Sequence, residues 1–118
     1  MIDEAEYERL ADRALGQVED LFSEVDPEDV DLERAGDVIR MTFRDRSRCV
    51  VNTQRAVRQI WLAANARGWH FDWDATLGAW VDARHTGGGA PGDGELFGVL
   101  RAIVRDCAKI ELAGSPGG

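Results

Sequence analysis

Between residues 38 and 84, five short runs of alternating apolar and polar residues follow one another with no more than five residues between successive runs. That spacing constrains the fold more than any other feature of the chain. A parallel crossover needs about a dozen residues or more, so strands this close must turn back on themselves as an antiparallel meander. In the run 38–43, Ile39, Met41 and Phe43 share one face while Val38, Arg40 and Thr42 share the other, the period-2 pattern of a half-buried strand. Runs at 49–52, 57–64, 69–74 and 79–84 read the same way. Asp31-Leu32-Glu33 before the turn at Ala35-Gly36-Asp37 adds a sixth strand, and Asp45-Arg46 marks a second tight turn.

Amphipathic helices bracket the meander. Tyr7, Leu10, Ala11, Ala14, Leu15, Val18, Leu21, Phe22 and Val25 recur in helical steps, giving one apolar stripe. Asp3 is the predicted N-cap with Glu6 as its capping-box partner, and Pro27 marks the exit. Leu96, Phe97, Leu100, Ile103, Val104 and Cys107 form a second stripe. The predicted architecture is α+β: a two-layer sandwich with the N- and C-terminal helices on one face of an antiparallel sheet of about six strands. One domain spans 1–112, with a flexible tail at 113–118. The Gly/Pro-rich stretch 86–94 is a flexible loop.

Trp69, Phe71 and Trp73 fall on the strand face that meets the helices, which predicts core packing for them and for Trp80. Trp61 and His70 fall on the opposite, uncovered face, where Asn52, Gln54 and Gln59 can surround them. An exposed tryptophan is a typical interface anchor.

Charge is distributed unevenly. The net charge is −8, yet residues 1–33 carry 13 acids and two bases, leaving the remainder at +3. An acidic first third argues against nucleic acid, whose phosphates need bases. It suits cations or a basic protein. Glu19, Asp20, Glu24, Asp26, Glu28, Asp29, Asp31 and Glu33 crowd the end of the first helix and the entry to the first strand. Glu4, Glu8 and Asp12 are spaced i, i+4, i+8 along one helix stripe. Like charges so placed cost a few tenths of a kcal/mol per pair, which a bound cation removes. Carboxylate oxygens suit hard ions. Composition alone leaves two readings open, a solvated face or a cation-binding ridge.

Cys49 and Cys107 form no CxxC pair and read as small buried hydrophobes of a reducing compartment. His70 and His85 are too separated to make a metal site on their own. The acidic start is unlike a targeting peptide, and no apolar run matches a membrane span, so a soluble cytoplasmic protein is expected. Neither a nucleophile elbow nor a P-loop is present, so an enzyme is not expected.

Four blocks together resemble one family. Asn52-Thr53-Gln54, Gln59-Ile60-Trp61-Leu62-Ala63, Gly68-Trp69-His70-Phe71-Asp72-Trp73 and Trp80 are similar to the signature of frataxins. Tyr7-Glu8-Arg9-Leu10-Ala11-Asp12 resembles the start of the bacterial, CyaY-type branch. The likeness covers roughly residues 4–111. The chain departs from the pattern at Ala56, where proline is usual, at Asp45-Arg46, where Asn-Gly is usual, and in the longer loop 86–94. The resemblance implies an iron-binding protein of iron–sulfur cluster assembly, acting as iron donor, as regulator of the cysteine desulfurase–scaffold complex, or as both. It implies weak binding of Fe2+ and Fe3+ on the carboxylates named above, whose hard oxygens also suit other divalent cations. It implies docking of Glu19, Asp20 and Glu24 on the desulfurase, and of the Trp61 face on the scaffold. The expected state is a monomer that can oligomerise under iron. The alternative is an acidic module that docks a basic partner and meets metal only incidentally.

Overall fold

The computed structural model describes residues 2–83 and 94–112. His85, most of the glycine-rich loop and the tail 113–118 lie outside the described residues. Helix α1 (Glu4–Leu21) is followed by strands β1 (Val30–Ala35), β2 (Val38–Phe43), β3 (Arg48–Gln54), β4 (Gln59–Ala64), β5 (Arg67–Asp74) and β6 (Ala79–Asp82), then helix α2 (Leu96–Ala108). The six strands form one antiparallel sheet in the order β1-β2-β3-β4-β5-β6, the meander that short connections dictate.

The apolar stripes of α1 and α2 meet one face of the sheet. Tyr7, Leu15, Val18, Leu96, Leu100 and Val104 are buried against Ile39, Met41, Val51, Ile60, Leu62 and Phe71. No polar or charged residue is buried among the described residues. Trp69, Phe71 and Trp80 are core residues, and Trp73 is partly buried against them. Trp73 meets Trp80 edge-on at 5.6 Å, and Tyr7 meets Trp80 at 6.0 Å. The Tyr7 hydroxyl donates to the Gln59 carbonyl at 2.8 Å, so the polar end of a buried ring is satisfied.

Asp3 caps α1, its carboxylate accepting from the Glu6 N–H at 2.8 Å. The helix stops at Leu21, earlier than the stripe through Val25 predicts. Its last turn contains no basic residue, and Glu19 and Asp20 sit at the negative end of the helix dipole, where carboxylates are unfavourable. Tight turns replace the helix: Ser23 N–H donates to the Asp20 carbonyl and Val25 N–H to the Phe22 carbonyl. The strand predicted from Val57 begins at Gln59, because Arg55–Val57 form a 3-10 turn and Arg58 adopts φ 52°. The last predicted strand, 79–84, ends at Asp82. Arg84 lies outside the described residues.

Two-residue loops set the register of two hairpins. Ala35 pairs with Val38, and Gly36 supplies the positive φ of 60° that the tight loop needs. Ala64 pairs with Arg67, and there Asn65 and Ala66 hold φ of 51° and 61°. A left-handed alanine costs roughly 1–2 kcal/mol. Ala66→Gly is therefore expected to raise stability by about 0.5–1 kcal/mol after the entropy of the unfolded glycine is charged against it. Thermal melts should show a rise of a few degrees; a fall would show that the alanine methyl has a packing role.

Candidate functional site

The fold gathers the chemistry onto two surfaces. On the uncovered sheet face, Asn52 of β3 pairs with Trp61 of β4, which pairs with His70 of β5. Gln54 pairs with Gln59 one row along. All five of the polar and aromatic residues singled out from sequence thus fall in two adjacent rows. The Trp61 and His70 rings stack with centroids 4.1 Å apart and planes 10° off parallel. The Trp61 indole N–H donates to Gln59 Oε1 at 2.8 Å, and Gln59 Nε2 donates to Asp72 Oδ1 at 3.1 Å. Trp61 is consequently half-buried, held in one orientation by a relay through Gln59 to Asp72. Strand alternation puts Asp72 on the face of His70, but nothing in the sequence marks it as the partner of Gln59.

The second surface is the acidic edge. β1 is an edge strand, and ion pairs tie it to α1. Arg34 of β1 donates from Nη1 to Glu19 Oε1 at 2.6 Å and from Nη2 to Asp12 Oδ1 at 2.9 Å. Glu8 pairs with Arg55 at 3.0 Å. Asp29 accepts from Arg44 Nε at 2.8 Å. These arginines come from 15 to 47 residues away along the chain, so sequence reading missed them. The carboxylates hold the Arg34 guanidinium above its ordinary pKa, Glu19 most strongly and Asp12 next, against the opposing effect of burial. Arg44 is likewise raised by Asp29.

Other acids face solvent. Asp20, Glu24, Glu28, Asp31 and Glu33 are exposed and have no ion-pair partner among the described residues. Glu4 is also exposed, one turn before Glu8. Asp26 caps its own turn, accepting from the Glu28 N–H at 2.9 Å. Asp20, Glu24, Asp26, Asp29 and Glu111 line a shallow cleft of about 470 Å³ where the end of α1 meets the residues after α2. Among the described residues, no three His, Cys, Asp or Glu side chains lie close enough together to hold a metal ion in a preformed cage. The ridge is a line of carboxylates, not a coordination sphere.

Both cysteines are free and buried. Burial, helped by the neighbouring Cys107, pushes the Cys49 thiol up to about 12, so it stays protonated and unreactive at neutral pH. No helix among the described residues is long and apolar enough to cross a membrane.

Comparison with known proteins identifies this arrangement. Residues 1–106 match the model of the frataxin-like domain. Over 110 residues the chain is 38% identical to the iron–sulfur cluster assembly protein CyaY of Delftia acidovorans, covering 91% of this chain and 92% of that one. It is 40% identical over 90 residues to the CyaY of Pseudomonas aeruginosa, covering 76% and 80%. Among solved structures, frataxin from Psychromonas ingrahamii superposes with a TM-score of 0.78 at 26% identity, over 94% of this chain and 96% of that chain.

Proposed function

This chain belongs to the frataxin family, and on that premise we propose that it serves iron–sulfur cluster assembly as a non-enzymatic, cytoplasmic, iron-binding modulator of the desulfurase–scaffold complex. The relatives named above are called iron–sulfur cluster assembly proteins. The observation that carries the reading is the pairing of two surfaces of opposite character on one small domain. One is a row of exposed carboxylates along α1 and the β1 edge. The other is a rigid aromatic and amide patch centred on Trp61.

The carboxylate row supports weak, labile binding of Fe2+ and Fe3+. Its oxygens suit hard cations, and without a preformed cage each ion keeps much of its water. Weak binding fits a protein that hands its ion on. The same row, through Glu19, Asp20 and Glu24, is complementary to a basic desulfurase surface. Other divalent cations would compete there.

The Trp61 patch supports docking of the scaffold. The indole is oriented in advance by Gln59 and His70, so little rotamer entropy is lost on binding. Trp61→Ala removes the anchor without opening the core, because the residue lies on the face away from the helices. The variant should melt within a few degrees of the parent, yet bind the desulfurase–scaffold complex at least about 30-fold more weakly, as for a 2 kcal/mol hot spot. Co-purification of the desulfurase and scaffold with the tagged chain is the direct check. Equal recovery with parent and variant would rule out this face as the docking surface.

A further inference from the structure

The ridge already holds a cation of its own. Arg34 engages all three guanidinium nitrogens: Nη1 with Glu19 Oε1 at 2.6 Å, Nη2 with Asp12 Oδ1 at 2.9 Å, and Nε with the Gly36 carbonyl at 2.9 Å. Its side chain is only 23% exposed. The other arginines on the ridge are held differently. Arg55 reaches Glu8 with a side chain 63% exposed, and Arg44 reaches Asp29 with one 62% exposed. Exposed pairs of that kind are worth little and open readily. Arg34 is anchored at three points, and Asp12 and Glu19 stand two turns apart on α1, so only the fork of the guanidinium joins them.

We infer that Arg34 is a resident counter-ion of the ridge, which competes with any incoming cation for Asp12 and Glu19, whose side chains are 76% and 42% exposed. This rests on the reading of the ridge as a cation-binding surface. The ridge then has a guarded part, Asp12 and Glu19, and an open part running from Asp20 and Glu24 into β1. Cations fill the open part first. Arg34 cannot withdraw by losing its proton, so displacement must move the side chain.

The test titrates the full chain with Mn2+ and follows paramagnetic broadening at individual residues in the parent and in Arg34→Gln. The parent should broaden first around Asp20, Glu24 and Asp31. In Arg34→Gln, affinity at Asp12 and Glu19 should rise about tenfold, the effect of removing one positive charge roughly 6 Å from a divalent ion in a water-like dielectric. Unchanged affinity at these two residues, with broadening elsewhere on the ridge intact, overturns the role of Arg34 alone. Absence of broadening anywhere on the ridge in either protein overturns this inference and the cation-binding reading together. A second measurement needs no variant. Saturating the parent with diamagnetic Ca2+ should move the Arg34 side-chain Nε–H signal towards that of free arginine, by reciprocity of binding. A signal that stays fixed while the Asp12 and Glu19 carboxyls respond also overturns it.

Discussion

Phe71→Ala is expected to lower the unfolding free energy by about 3–5 kcal/mol, the usual cost of an aromatic deleted from a well-packed core. Phe71 is fully buried and lies opposite Ile60 on the helix-covered face, where β5 pairs with β4. Helices cover this face, and no polar residue is buried nearby for water to follow. A domain of this size has only about 5–15 kcal/mol to lose, so the substitution removes a large part of the margin. Urea unfolding followed by far-UV circular dichroism should show the midpoint fall with the slope preserved. A loss under about 1 kcal/mol would mean that the sheet and helices close over the gap, contrary to the packing described.

Reversing three charges should have the largest functional effect. Glu19→Lys, Asp20→Lys and Glu24→Lys each change the charge by two, taking the chain from −8 to −2. In a reconstituted assembly reaction with desulfurase, scaffold, iron and cysteine, the parent should change the rate of cluster formation and the triple variant should not. Glu19 requires separate treatment, since a lysine in its place would face Arg34. The double variant Asp20→Lys/Glu24→Lys leaves the Arg34 pairs intact and should lose most of the effect on its own. Asp106→Lys, on the exposed side of α2, should behave like the parent. If the triple variant changes the rate as the parent does, the ridge is a solvated face and the proposed role fails.

Much of this was legible in the residues themselves. Alternation in β2 and the stripe of α1 fixed which side chains enter the core, because burial repeats with the geometry of the element. The same alternation put Trp61 and His70 on the open face. What escaped reading depends on chain segments meeting in space. Arg34 reads as an ordinary strand charge until β1 is laid beside α1, and Arg55 gives no hint of Glu8, 47 residues earlier. Local backbone strain was equally silent. Asn65 tolerates the left-handed region, but nothing in Ala66 announces it; the register of Ala64 with Arg67 imposes it there. The early end of α1 was readable in principle, since acids at a helix C-terminus oppose its dipole, but the apolar stripe through Val25 outweighed that signal.

An open sheet in sequential strand order leaves two edges that could pair with a neighbouring molecule. Each is defended. β6 has only four residues, and Glu95 bridges Val81 beside it. On β1, Asp31 and Glu33 project to the open side and Arg34 to the helix side, so an approaching strand would meet a formal charge on either face. Charged edge strands resist edge-to-edge aggregation. The carboxylates of β1 thus have a use apart from the recognition proposed for them: they keep an open, half-covered sheet from recruiting copies of itself.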